Sequence, residues 1–273
     1  MDPISKIFVV IDPTTDNQRA LKRACHIAGY TGASIVAFLC VFSEAETKNK
    51  DALKRVEMER HRRWLDPLIR EASDLGLKID VRLRWDPNWR DALAGAANAA
   101  NCDLIIKSTF RHGSADRLLR TSDWNLLRTA HCPVLLIKRD VLSESGNILI
   151  AVDIASTDPE HRRLNEEIIA AANLILENRS DLQLHAVNAY RNLENFVDPI
   201  DLADRVGIER ARVHIAKGAP EQVIPEFANK LDAELVIIGT TARRGVPGAV
   251  LGNTVERVLD HLVSDVLTVV APA

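Results

Sequence analysis

Three glycines, Gly245, Gly248 and Gly252, follow Arg243 and Arg244 and run directly into Asn253 and Thr254. Residues of these types can hold an anion. Glycine lets the backbone approach a ligand closely, arginine supplies positive charge, and free N–H groups at a helix start attract phosphate. The apolar run Leu235–Ile238 ahead of them reads as a buried strand ending at Gly239. Behind them, Val255, Val258, Leu259, Leu262 and Val263 fall at helical spacing. A strand therefore delivers a glycine loop, and the loop delivers a helix N-terminus near Asn253, which makes a candidate phosphate cradle. The Walker A spacing is absent, and no G-x-G-x-x-G follows the first strand, so the conventional P-loop and dinucleotide readings fail.

The elements that must position this loop occur twice. KIFVVIDPTTD from Lys6 and NILIAVDIAST from Asn147 both read as strands ending in an aspartate, Asp12 and Asp153. Leu21, Ala24, Cys25 and Ala28 make a helical face after the first, and Leu164, Ile168, Ala172 and Ile175 after the second. Second strands follow at Ser34–Phe42 and Leu182–Tyr190, and third strands at Lys78–Arg84 and Arg212–Ala216. Fourth strands start at Cys102 and Ala233, fifth strands at Cys132 and Ser264. The first copy carries a long charged helical stretch, Glu44–Leu75, where the second has the shorter Arg191–Arg205. Each half reads β-α-β-α-β-α-β-α-β. The expected fold is α/β: two tandem doubly wound parallel five-stranded sheets, residues 1–140 and 146–273, joined by a polar linker and packed as an intramolecular pseudo-dimer. Further homodimerisation is left open.

Ligands in such sheets bind at the carboxyl ends of strands, where strand order reverses. If the first and fourth strands flank that reversal, Asp153 and the loop after Gly239 face one crevice. Asp153 can accept hydrogen bonds from ribose hydroxyls there, or cap the next helix, or fix its own loop. The loop glycines can likewise serve only turns.

Composition excludes several classes. The 273 residues are 47% apolar and 27% charged with net charge −3, a globular balance without a basic field for nucleic acid. No apolar run reaches the ~20 residues of a membrane helix, and the N-terminus lacks a signal-peptide layout, so a cytoplasmic protein is expected. Cys25, Cys40, Cys102 and Cys132 form no C-x-x-C pair. Cys25 and Cys40 read as core thiols, and His131–Cys132 lacks a second pair at metal spacing.

Three stretches carry a resemblance. VIIGTTARRGVPGAVLGNTVERVLDHLVSDVLTVV in the second half, with IKSTFRH and TSDWNLLRTAHCPVLLIK in the first, resemble the universal stress protein family, in its tandem-domain E-type. The resemblance covers nearly the whole chain and implies an adenine nucleotide alpha hydrolase-like fold. ATP-binding members carry G-x2-G-x9-G-[S/T]. Gly239 and Gly252 match the first and third glycines; Ala242 stands at the second, and Asn253 at the Ser/Thr, with Thr254 next. Ala242 penalises positive φ by roughly 1 kcal/mol if a left-handed turn is needed. Asn253 keeps a capping acceptor. In the first half Ser108 and Arg120 replace Gly239 and Gly252, and Thr121 and Ser122 replace Asn253 and Thr254, so no ordinary ATP site is expected there.

The resemblance implies a non-enzymatic stress-response or regulatory protein whose second domain binds ATP through an imperfect motif, with magnesium accompanying the nucleotide. Asp153 would contact ribose, Val187 would line the adenine pocket, and Gly239, Gly252, Asn253 and Thr254 would hold phosphates. Slow ATP hydrolysis is the enzymatic alternative, but His261 sits about two turns into the last helix and no catalytic constellation stands out. The lost first-half glycines and the tryptophans Trp64, Trp85, Trp89 and Trp124 motivate another alternative, a lipid-like or nucleotide-sugar ligand held between the halves. Arg111, His112, Arg117 and Arg120 could hold an anion or simply be solvated.

Overall fold

A computed structural model describes residues 3–42, 49–109, 120–140, 145–240 and 253–270, with backbone alone at 120–122 and 253–254. Contacts gather the chain into two compact units, Asp2–Leu126 and Leu127–Ala273.

The first unit contains β1 (Lys6–Val10), α1 (Arg19–Thr31), β2 (Ser34–Val41), α2 (Lys50–Asp74), β3 (Ile79–Trp85), α3 (Trp89–Ala100), β4 (Leu104–Ser108) and the start of α4 (Arg120–Thr129). Its strand order is β3-β2-β1-β4, with β1 parallel to both neighbours. Helices cover both faces of a parallel sheet, which is why β1 and β4 are continuous apolar runs: Ile7, Phe8, Val9, Ile105 and Ile106 are fully buried. The edge strand β3 instead alternates half-buried and exposed residues. Helix α2 buries only Leu65 and Ala72, and its highly charged surface is supported by ion pairs one turn apart, Glu57–Arg60 and Glu59–Arg63.

The second unit repeats the pattern. Its elements are β5 (Val134–Ile137), β6 (Gly146–Ala151), α5 (Pro159–Asn178), β7 (Leu182–Tyr190), α6 (Pro199–Val206), β8 (Val213–Lys217), α7 (Pro220–Lys230), β9 (Ala233–Thr240), α8 (Asn253–His261) and β10 (Asp265–Val270). Local signals set the helix starts. Asp158 and Asp198 accept from Glu160 N and Ile200 N, and each precedes a proline in the first turn. Gly207, at φ 77°, ends α6 in the left-handed conformation.

The strand order here is β5-β10-β9-β6-β7-β8. The contact division falls before the linker expected from sequence because β5 is held by β10. The two run antiparallel, Leu135 opposite Leu267, in contrast to the parallel β6–β7, β6–β9 and β9–β10 pairs. Asp265 Oδ1 accepts from Lys138 N (2.7 Å) and Arg139 N (2.9 Å). The Lys138 ammonium donates to Leu259 O (2.6 Å) and Leu262 O (3.0 Å) at the end of α8, meeting carbonyls a helix C-terminus leaves open. The contact division thus groups four strands in the first unit and six in the second, β5 belonging by sequence to the first repeat.

At the other edge, His185 on β7 and His214 on β8 stack, with Nδ1 and Nε2 3.2 Å apart. Burial lowers both imidazoles first; His214 and Arg212 add to this at His185, and Lys230 at His214. The folded state therefore resists protons that the unfolded chain accepts near pH 6.5. Their stabilisation is complete above that pH and is lost as pH falls through it. Urea midpoints should drop between about pH 7.5 and about pH 5.5, and the drop should shrink in His214→Gln. An unchanged drop would show that the pair does not carry it.

Candidate functional site

The second unit's strand order reverses at β6, which pairs with β7 on one side and β9 on the other. Asp153 and Gly239 therefore lie at the carboxyl ends of adjacent strands, as a switch-point site requires. Ladder pairs Ala151–Val187 and Ile150–Ile237 place Val187, Ile238 and Thr240 on one face of the sheet. Val187 is 1% exposed.

The turn after β6 is fixed by two asparagines. Asn165 on α5 accepts from Asp153 N (3.1 Å) and donates to Asp153 O (2.8 Å). Asn188 on β7 donates to Val152 O (2.9 Å). The Asp153 carboxylate is exposed and takes no hydrogen bond or ion pair among the described residues. It does not cap α5, because Asp158 does; it does not fix its own loop, because Asn165 does. Two buried polar atoms on the strands either side of β6, Asn188 Oδ1 and Thr240 Oγ1, have no hydrogen-bond partner among the described residues. Buried polar groups are rarely left so.

Gly239 has a packing job in addition to the one its motif position suggests. A β-carbon there would sit 2.5 Å from Leu164 Cδ2 and closer still to Leu164 Cγ. The missing side chain seats α5 on β9. Residues 241–252, hence Ala242, Arg243, Arg244, Gly245, Gly248 and Gly252, lie outside the described residues. Asn253 and Thr254 open α8, their side chains also outside the description. His261 Nδ1 contacts Arg257 O of its own helix (2.6 Å).

In the first unit the corresponding position is a cavity of about 900 Å³. Asp12, Phe38, Cys40, Trp89, Lys107 and Ser108 are among its lining residues, all from the first unit. Gln18 replaces Asn165, accepting from Asp12 N and donating to Asp12 O. Asp12 Oδ1, unlike Asp153, is spent on Thr14 N (2.9 Å) and Thr14 Oγ1 (2.6 Å). Ser108 Oγ accepts from Ala20 N (3.0 Å), so the side chain that replaces Gly239 fills space and caps α1. Burial, then the Asp86 carboxylate, pushes the Cys40 thiol up to about 11, so it is no nucleophile at neutral pH. Of the other tryptophans, Trp64 donates to Asp16 Oδ1 and Trp85 packs on Phe42. Arg111, His112 and Arg117 lie outside the described residues, as do the side chains of Arg120, Thr121 and Ser122.

Sequence reasoning missed Asn165, Gln18, Asn188 and Thr240. The signal for Asn165 is a polar residue within an apolar helical stripe; Gln18 precedes its helix and carries no such signal. Among the described residues, no group of three or more His, Cys, Asp or Glu could hold a metal, and no helix is long and apolar enough to cross a membrane.

Comparison with known proteins gives consistent results. The profile of the universal stress protein family matches twice, at residues 3–138 and 146–270. Universal stress protein E of Escherichia coli K12 is 30% identical, the match covering 96% of this chain and 93% of that one. A universal stress protein E homolog of Haemophilus influenzae is 26% identical over 96% of each. Among solved structures, a putative universal stress protein of Pseudomonas aeruginosa UCBPP-PA14 matches with TM-score 0.78 and 33% identity, covering 98% of this chain and 93% of that one.

Proposed function

The chain belongs to the universal stress protein family, with two family domains in tandem, and from this we propose that it is a non-enzymatic stress-response protein that senses an adenine nucleotide through its second domain. The observation that carries the reading is the Asp153 carboxylate. It is exposed at the switch point, held in place through its backbone, and committed to nothing else among the described residues. A ribose offers two hydroxyl donors to such a carboxylate. Val187 and Thr240 on the same sheet face would border the base and phosphates, Gly252 would bring backbone close, and the start of α8 at Asn253 and Thr254 would hold phosphate oxygens. Magnesium would arrive on the phosphates.

Calorimetric titration tests this. Wild type should bind ATP, Gly252→Arg should abolish binding, and Asp153→Ala should weaken it about tenfold, near 1.4 kcal/mol. No binding by wild type removes the reading, and equal binding by all three moves the site elsewhere.

The first-unit cavity favours a second reading, a separate ligand of the first domain that is largely apolar. The sequence expectation put such a ligand between the halves; the cavity is built by one unit alone. Native mass spectrometry of protein purified without added ligand should show a bound apolar mass that Phe38→Arg loses. Protein empty in both forms counts against it.

A further inference from the structure

The two repeats treat the helix start beside their fourth strands differently. In the first unit the Lys107 ammonium lies 2.6 Å from Asp123 Oδ1, and Thr109 Oγ1 donates to Asp123 Oδ2 at 2.9 Å. Lys107 also donates to Ser108 O (3.1 Å). Both charged side chains are 11% exposed, and Asp123 lies in the first turn of α4. Lys107 and Ser108 line the 900 Å³ cavity. In the second unit Ile238 stands for Lys107, Thr240 for Thr109 and Val255 for Asp123. Packing supports that alignment: Leu126 and Leu127 are buried as Val258 and Leu259 are. Val255 has no carboxylate, and the Thr240 hydroxyl has no partner among the described residues.

A carboxylate at a helix start, between an ammonium and a hydroxyl, has the charge and acceptors of a bound phosphate oxygen pair. A nearly buried ammonium requires such a counter-anion. While the carboxylate is in place, an incoming phosphate meets like charge and a cation already neutralised.

We propose that Asp123 is a resident anion. It occupies the position beside Lys107 that a ligand phosphate would take, and so restricts the first unit's cavity to ligands lacking an ionised phosphate. This deepens the second reading above by naming what decides the cavity's ligand class.

The test uses the full chain carrying Gly252→Arg, which silences the site proposed in the second unit, and inorganic phosphate as probe. Asp123→Asn keeps an acceptor for Thr109 and removes the charge. Its affinity for phosphate should exceed the parent's by at least about tenfold, with a melting temperature that climbs as phosphate is added. Asp123→Glu should bind no better than the parent, and adding Lys107→Met to Asp123→Asn should erase the gain. Equal affinities in parent and Asp123→Asn overturn the proposal, as does a gain that survives Lys107→Met. If Asp123→Asn does not hold its fold in phosphate-free buffer, phosphate must restore it, and no restoration overturns the proposal too. An ATP titration of wild type that fails removes only the second-unit reading. An empty protein in native mass spectrometry removes only the apolar ligand, and the phosphate gain stands or falls separately.

Discussion

Gly239→Ala should cost roughly 2–3 kcal/mol of stability, the upper range for forcing one methyl into a packed interior. The new methyl collides with the Leu164 side chain, so α5 must lift from β9 or Leu164 must leave its rotamer. Leu164 is buried on the core face of α5, so neither movement is free. Leu164→Ala alone should also destabilise, by about 2–5 kcal/mol, because it leaves a cavity. The double variant should be less damaged than the two losses predict, by about 1 kcal/mol or more, since the alanine methyl then occupies vacated space. Urea denaturation of the four proteins measures this coupling. Strict additivity would mean that Gly239 is not there for Leu164. The ligand side has its own expectation. If Gly239 serves packing, folded Gly239→Ala/Leu164→Ala should bind ATP within about threefold of wild type. A complete loss would return Gly239 to the phosphates.

This glycine shows where a motif and a structure differ in content. The sequence pattern places Gly239 at the end of a buried strand, and that is where it lies. What the pattern lacks is the neighbour across the sheet, Leu164, 75 positions away. The repeat was readable because both copies keep alternating apolar runs and helical stripes, and periodicity needs only local residues. The switch point followed from topology rules acting on that repeat. The roles of Asp12 and Asp153 were not readable. Each ends a first strand, yet Thr14 occupies one carboxylate, and Asn165 frees the other from loop duty. Whether a carboxylate is spent locally depends on side-chain directions that neither spacing nor composition encodes. The cavity is a similar case. Trp89 lines it, whereas Trp64 and Trp85 are engaged with Asp16 and Phe42, so the tryptophan count pointed to the right half for a partly wrong reason.

Asp265→Ala should cost about 3 kcal/mol and should act first on the edge where β5 meets β10. Asp265 is 1% exposed, and one oxygen accepts the amides of both Lys138 and Arg139. Removing it strands two donors, each costing roughly 1–3 kcal/mol when buried. Arg139 is half-buried, which keeps the expected total well below the sum of two full penalties. The bond cannot be supplied from the other repeat, where Pro133 stands in the matching position with no acceptor on its side chain. Asp265→Asn retains an amide oxygen and should recover most of the loss, lacking only the charge assistance. Urea denaturation gives the magnitude, provided a constant m-value shows that the transition has not split. Hydrogen exchange gives the location: the amides of 134–139 should lose protection before those of β6, whose neighbours β7 and β9 are unchanged. A loss below about 0.5 kcal/mol, or exchange that rises uniformly, would mean that β5 is held by its apolar side chains Val134, Leu135, Leu136 and Ile137 rather than by this carboxylate. The distinction matters for the fold as a whole. An apolar face alone tolerates register slips of two residues, whereas a buried acceptor meeting two consecutive amides fixes one register, Leu136 opposite Val266.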